Sequence, residues 1–165
     1  MLFRSIEWRE QCLFLLDQRH LPLTVDFLQL KTPQEAFVAI KEMVVRGAPA
    51  IGITAAYAVV LSAQQHSLSN TTDSELPSVK TLIAADIDYL TLARPTAVNL
   101  AWALARMRQV LDECTATDVA GLCLALEQAA MQMQQADVIA NRRMGELGAA
   151  YIEKGSAVMT HCNAG

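Results

Sequence analysis

The chain has 165 residues, of which 53% are hydrophobic, 18% charged and 5% aromatic. This length suits one ordinary domain, and the hydrophobic share excludes a disordered tail. Thirteen basic and seventeen acidic side chains give a net charge of −4, which argues against electrostatic binding to nucleic acid or to a membrane surface. The apolar residues are mainly Ala, Leu and Val, a composition that favours packed helices.

The cysteine pattern gives no sign of a metal site or a disulfide scaffold. No Cys-x-x-Cys pair or zinc-ligand spacing occurs among the four cysteines, which are Cys12, Cys114, Cys123 and Cys162. No secretory signal is visible near Met1. The apolar stretch 47–63 contains Pro and Gly and suits a buried helix better than a membrane span. We therefore expect a reduced, cytoplasmic protein.

The first thirty residues predict a small antiparallel β unit. Residues 12–16 form a short apolar run and residues 23–27 alternate between apolar and polar types. The segment 17–22 between them is rich in polar residues and ends in proline, which is typical of a turn or loop.

A helix is predicted to begin at Thr32. Thr32 suits the cap, Pro33 suits the first helical position, and Glu35 completes a capping box. We expect Gly47 to end this helix, because Gly adopts the left-handed conformation at low steric cost. Pro49 then begins a second helix.

Helical patterns continue along most of the remaining chain. The second helix extends to about residue 65, and residues 66–77 have loop composition. Further helices are predicted at 79–92, from Pro95 to about 111, and from Asp118 towards Lys154, where Gly155 follows. Residues 156–160 then have the pattern of a buried strand.

Two arginines stand just before predicted helix starts. Arg46 precedes Gly47 and Ala48 at a position where free backbone N–H groups and the helix dipole favour an anion. Its guanidinium adds a fork that suits phosphate, although an ordinary turn with a solvated arginine is the simpler interpretation. Arg94 has a similar position, and there capping of the preceding helix is an equal alternative. For the basic cluster 141–143 a charged helix face is the simpler interpretation.

Cys162 follows the predicted strand in a loop that contains Gly165. Open α/β sheets place ligands outside the carboxyl ends of their strands. A cysteine there can act as a nucleophile, as an acid–base group or as an orienting group, and a small buried apolar residue is the alternative. His161 is not expected to be its base, because adjacent strand residues point to opposite faces.

Four segments, in order, closely resemble the methylthioribose-1-phosphate isomerase family, and the resemblance extends over essentially the whole chain. They are Val-Arg-Gly-Ala-Pro-Ala-Ile-Gly (45–52), Arg-Pro-Thr-Ala-Val-Asn-Leu (94–100), Asn-Arg-Arg-Met-Gly-Glu-Leu-Gly-Ala (141–149) and Thr-His-Cys-Asn-Ala-Gly (160–165). The wider family includes ribose-1,5-bisphosphate isomerase and the regulatory subunits of a translation-initiation guanine-nucleotide exchange factor.

The resemblance implies an aldose–ketose isomerase of methionine salvage. Its substrate is a small-molecule sugar phosphate, 5-methylthioribose 1-phosphate, which becomes 5-methylthioribulose 1-phosphate. No metal or organic cofactor is expected, and complete members are expected to be homodimers. The family's substrate contacts map onto Arg46, Gly47, Ala48 and Arg94, and its catalytic cysteine maps onto Cys162.

The resemblance also predicts the fold and the domain organisation. A mainly α domain with a small antiparallel β unit is expected over residues 1–154. Residues 155–165 are expected to begin a Rossmann-like α/β domain, which in complete members continues past Gly165 and supplies a catalytic aspartate. The chain alone is therefore expected to be inactive. The alternative is a non-catalytic relative that binds a sugar phosphate or a nucleotide and acts as a regulatory subunit.

Overall fold

The computed structural model describes residues 4–69 and 76–159. Within these ranges a small sheet is followed by a helical bundle. The elements are β1 (Ile6–Arg9), β2 (Cys12–Leu16), β3 (Phe27–Leu30), α1 (Pro33–Lys41), α2 (Ala48–Ser69), α3 (Leu76–Thr91), α4 (Val98–Glu113) and α5 (Val119–Ala149). The prediction of a mainly α fold with an N-terminal antiparallel unit is confirmed.

The sheet is antiparallel in the order β1-β2-β3. β1 and β2 are joined by a tight turn in which Glu10 and Gln11 have φ values of 52° and 57°, as the hairpin twist requires. The third strand lies later than predicted, because Leu16 pairs with Phe27 and residues 21–26 form a loop. Leu23, expected in the strand, is 91% exposed.

A buried carboxylate organises the β2–β3 connection. Asp17 accepts hydrogen bonds from the Arg19 guanidinium at 2.8 and 2.6 Å and from the Arg19 amide at 3.1 Å. The Asp17 amide in turn donates to the carbonyl of Asp26 at 2.8 Å. The hydrogen bonds from Arg19 lower the pKa of the Asp17 carboxyl below its ordinary value, because they stabilise its charged form.

The start of α1 is as predicted, but its end is not. The Thr32 side chain accepts from the Glu35 amide, and the Glu35 carboxylate accepts from the Thr32 amide. The helix ends at Lys41 instead of near Gly47, since Met43 takes the left-handed conformation with φ 58°. Gly47, with φ 94°, forms the turn that leads into α2.

Helix α2 is the centre of the bundle. It packs against α1, α3, α4 and α5, and residues 51–63 are all buried, as expected for a helix that is apolar on every side. Its polar link to α3 is Asp86, which accepts from the Ser62 hydroxyl at 2.6 Å and lies 2.9 Å from His66 Nε2. The helix extends to Ser69, beyond the predicted end near residue 65.

The start of α5 agrees with the prediction from local sequence signals, and the start of α4 does not. Asp118 caps α5 as predicted, because its side chain accepts from the Gly121 amide at 2.7 Å. The prediction that Pro95 begins α4 is wrong, since Pro95 lies in a turn and the helix begins at Val98. Helix α5 ends at Ala149, before the predicted end near Lys154.

The predicted buried strand at 156–160 is not present over its described part, residues 156–159. Val158 is 65% exposed and Met159 is 96% exposed. A strand is stabilised by hydrogen bonds to a neighbouring strand, and this segment pairs with none of the described residues. The domain boundary at 154/155 therefore stays a prediction.

Asp17→Asn is expected to lower the free energy of unfolding by about 1–3 kcal/mol at pH 7, since it removes a charged acceptor that is buried. The folded-state pKa of Asp17 is lowered, so its contribution is present above the unfolded pKa of about 4 and is lost as the pH falls through the folded value. Urea unfolding at pH 7 and pH 2 tests this, and the difference between wild type and variant should shrink at pH 2.

Asp26→Asn is the matched control, because Asp26 lies in the same loop and its side chain is 57% exposed. It is expected to change stability by less than about 0.5 kcal/mol. Equal stability of Asp17→Asn and Asp26→Asn at pH 7 would show that the buried pair does not hold the loop.

Candidate functional site

The first turns of α2 and α4 are in direct backbone contact. A Cβ added to Gly52 would lie 2.7 Å from the carbonyl oxygen of Asn99, closer than real Cβ atoms approach. Gly52 therefore permits a distance between the helices that any other residue would prevent. Since Gly52 is near the start of α2 and Asn99 near the start of α4, both helix N-termini lie at the same end of the bundle.

Contacts of α3 support this arrangement. Arg108 of α4 donates to the carbonyl of Ala84 at 2.8 Å and to Asp88 at 2.6 Å. Lys80 of α3 donates to the carbonyl of Cys114, which directly follows α4, at 3.1 Å. Residues near the end of α4 therefore contact residues near the start of α3. The two helices are antiparallel, and the turn between them lies at the same end of the bundle as the start of α4.

The turn before α2 offers free donors and a free cation. Pro49 has no amide hydrogen and the Ile51 amide donates to the carbonyl of Gly47 at 3.0 Å, which leaves the amides of Ala48 and Ala50 without an acceptor among the described residues. Arg46 is exposed, and its guanidinium has no hydrogen-bond or ion-pair partner within the described part of the chain. No acidic residue lies in the first turn of α2.

Arg94 lies half-buried in the turn between α3 and α4. The alternative that it caps α3 is not seen, because the amides of Leu92 and Ala93 donate to the carbonyls of Tyr89 and Leu90 at 3.0 and 3.1 Å. Over residues 4–69 and 76–159, its guanidinium also has no polar partner. Arg94 thus lies in the turn directly before α4 without a described partner.

The structure therefore brings together four of the five predicted site residues at the level of their backbone elements. Arg46, Gly47 and Ala48 precede or begin α2, and Arg94 lies in the turn before α4. The fifth residue, Cys162, lies outside the described residues, as does His161.

A groove that sequence reasoning missed extends from this end of the bundle along α2. It has a volume of about 1070 Å³ and lies between β1, α2 and α5. Trp8 of β1 stacks on Tyr57 of α2, with ring centroids 5.0 Å apart and an interplanar angle of 13°. Ala50, in the first turn of α2, also lines the groove, whereas Arg46, Gly47, Ala48 and Arg94 do not.

Polar contacts hold the groove wall together. The Tyr57 hydroxyl donates to Gln134 Oε1 at 2.6 Å, and Gln134 Nε2 donates to the carbonyl of Ile6 at 3.2 Å. The Trp8 indole donates to Glu127 at 2.6 Å. Burial, with a smaller contribution from the charge of Glu127, raises the pKa of Tyr57 to about 12, so this hydroxyl remains a donor at neutral pH.

No group of three or more His, Cys, Asp or Glu side chains suited to a metal ion occurs in the described ranges. The Ser62, His66 and Asp86 group is not a nucleophilic triad, because Ser62 and His66 both meet the same Asp86 oxygen. A triad requires the histidine between the other two residues. Among the described helices, none is long and apolar enough to cross a membrane.

Gly52→Ala is expected to destabilise the chain by about 1–3 kcal/mol, because the added methyl group must separate α2 from α4. Gly145→Ala is the control, since nothing lies within 4 Å of its added Cβ and Ala is the better helix former. Urea unfolding of both variants measures the difference. A Gly52→Ala variant as stable as Gly145→Ala would contradict the close contact.

The sequence of this chain is similar to those of known proteins. The model of the Initiation factor 2 subunit family matches residues 44–165. Methylthioribose-1-phosphate isomerase of Alkalilimnicola ehrlichii is 49% identical over 98% of this chain and 44% of its own length. The enzyme of the same name from Thermotoga maritima is 43% identical over 98% of this chain and 44% of its own length.

Two solved structures share the fold. The 5-methylthioribose 1-phosphate isomerase from Pyrococcus horikoshii OT3 has a TM-score of 0.85 and 32% identity, over 93% of this chain and 42% of that one. Translation initiation factor eIF-2B, subunit delta, from A. fulgidus has a TM-score of 0.87 and 33% identity, over 99% and 46%. The chain thus spans less than half the length of these relatives. Since the family match covers most of its residues, the chain belongs to the Initiation factor 2 subunit family.

Proposed function

We propose that this chain forms the helical, phosphate-binding part of an aldose–ketose isomerase that converts 5-methylthioribose 1-phosphate to 5-methylthioribulose 1-phosphate in methionine salvage. The observation that carries the proposal is the contact of Gly52 with Asn99, which places two helix N-termini at one end of the bundle. An arginine without a described partner precedes each of them. The names of the relatives support the choice of substrate.

The proposed phosphate site combines three attractive contributions. A helix N-terminus stabilises an anion by about 0.3–1 kcal/mol, and up to about 2 when partly buried. Each hydrogen bond from a charged donor adds about 1.5–3 kcal/mol. Arg46 and Arg94 would each add a planar fork that matches phosphate oxygens, and the backbone at Gly47 and Ala48 would add uncharged donors.

Holding the phosphate would orient the sugar for the reaction. The phosphate on C1 blocks the anomeric carbon, so the ring must open before hydrogen moves from C2 to C1. This transfer needs a correctly placed acid and base, and fixed orientation lowers its entropic cost. We assign the reacting thiol to Cys162 by resemblance, with an aspartate from the part of the family that follows this segment. No cofactor takes part in the proposal.

The proposed setting is a homodimer of the complete protein in the cytoplasm. The second candidate is a non-catalytic, ligand-binding regulatory subunit. The specific observation in its favour is the TM-score of 0.87 with an eIF-2B subunit, which is slightly higher than the TM-score of 0.85 with the isomerase. Cys162 favours the enzyme, because a protein that only binds ligands has no need of a reactive thiol.

Arg46→Ala and Arg94→Ala are each expected to weaken binding of methylthioribose 1-phosphate by about tenfold or more, since each removes a charge-assisted hydrogen bond. Calorimetric titration of the 165-residue chain measures this. Arg106→Ala is the control, because Arg106 is exposed on α4 and bonded to Gln109. Wild type without binding, or both variants with wild-type affinity, would contradict the phosphate site.

The 165-residue chain is expected to show no significant isomerase activity, because the proposed reaction needs an acid supplied from outside this segment. The measurement is formation of methylthioribulose 1-phosphate by purified chain, with a relative of complete length as the positive control. Turnover by the 165-residue chain at the control's rate would show that these residues contain the whole catalytic machinery.

A further inference from the structure

We propose that the second half of α5, residues 138–149, is an interface between two copies of this chain, which pair there as antiparallel helices. Every residue of this segment is exposed, whereas Leu122, Leu126 and Ala130 in the first half of the helix are buried. The exposed segment is about 18 Å long at the rise of an α-helix. This interface belongs to the 165-residue chain itself and does not depend on the proposed function.

Helix α5 projects beyond the end of the bundle at which α2 begins. Ser67 lies beside Cys123 and Tyr57 bonds to Gln134, so the two helices are antiparallel. Tyr57 lies nine residues after the start of α2, whereas α5 continues for fifteen residues after Gln134. The last turns of α5 therefore extend past the first turn of α2, where a second molecule can reach them.

An apolar stripe runs from the buried half of α5 into this projecting segment. Its positions are spaced alternately by four and three residues, the period of a helix that packs along another helix; they are Leu126, Ala130, Met133, Asp137, Ala140, Met144 and Leu147. The core covers the stripe as far as Met133, but Met144 is 61% exposed and Leu147 is 53% exposed. Since helices gain most of their stability by packing an apolar face, the later part of the stripe lacks a partner among the described residues.

A second copy of the chain fits this stripe when the two helices are antiparallel and related by a two-fold axis. In the register that we propose, Met144 of one copy lies opposite Leu147 of the other, so that two apolar contacts form. Ala140 then lies opposite Tyr151, which is exposed just beyond the helix end. A small side chain thus meets a large one, as close packing of two helices requires.

Charge complementarity favours the second copy and its direction. The same register places Asp137 opposite Lys154 of the second copy, twice in the pair, and neither side chain has an ion pair with a described residue. A parallel pair would place Asp137 opposite Asp137 and Lys154 opposite Lys154, and like charges repel. Because α5 projects from the bundle, the antiparallel pair also keeps the two bundles at opposite ends.

The test is sedimentation equilibrium of the 165-residue chain over about a hundredfold range of concentration, since association follows mass action. The mass is expected to rise from 18.0 kDa towards twice that value. Leu147→Lys should weaken association by about tenfold or more, because it puts a charge into the apolar contact. Ile139→Lys is the matched control and should associate as wild type does, since Ile139 is exposed on α5 outside the stripe. Circular dichroism of both variants should show equal helix content.

Charge reversal tests the register. Asp137→Lys and Lys154→Asp should each weaken association by about threefold or more, because like charges then face each other in both halves of the pair. The double variant should restore association, since each opposed pair again has one charge of each sign.

Every other outcome would overturn the proposal. A chain that stays at 18.0 kDa at every concentration would leave the later part of a complete-length protein as the occupant of the stripe. Equal association of Leu147→Lys and wild type would place the contact on another surface. A double charge variant no better than the single variants would contradict the antiparallel register, and a mass that keeps rising past the dimer would indicate open aggregation instead of a closed pair.

Discussion

The close approach of Gly52 to the carbonyl of Asn99 is the constraint on which the candidate site depends. It sets the distance between α2 and α4, and it places their first turns side by side. Because protein interiors are tightly packed, a helix buried over residues 51–63 can shift to make room for a larger side chain only at a cost in stability. The positions of the two arginine turns therefore follow from core packing rather than from contacts between the turns themselves.

A second set of interactions connects the sheet to the same helices. Trp8 stacks on Tyr57 of α2 and donates to Glu127 of α5, and Gln134 joins Tyr57 to the backbone of Ile6. These contacts close one side of the groove. The small sheet thus contributes a wall to the groove, although none of its residues belongs to the motifs that identify the family.

Local signals in the sequence predicted the features that local chemistry determines. The capping box of Thr32 and Glu35 and the Asp118 cap are satisfied within a few residues, so their pattern is sufficient. The predicted end of α1 near Gly47 was wrong, because the chain turns inward to bury Val44 and Val45. Met43 takes the left-handed conformation that glycine would ordinarily supply. The same limit applies to Pro95, whose preference for a helix start is weaker than the requirements of the turn before Val98.

The candidate site was predictable only in part. Arg46 and Arg94 each fitted two interpretations, and the choice between them depends on the Gly52–Asn99 contact and on the absence of described partners. Neither the contact nor the absence of partners can be predicted from the spacing of residues in the sequence, because the residues that meet are far apart in the chain. The groove was missed for the same reason, since Trp8 and Glu127 meet only when the first strand packs against the last helix.

The burial of α2 also determines how a ligand would act on the whole molecule. Helices that are surrounded by the core open only when the entire chain unfolds, unlike surface segments that open locally. The amides of Ala48 and Ala50 stand at the more exposed start of this helix, directly before its buried residues 51–63. An anion bound to them would therefore shift the global folding equilibrium by mass action, so that occupancy of the site and cohesion of the bundle would be thermodynamically linked.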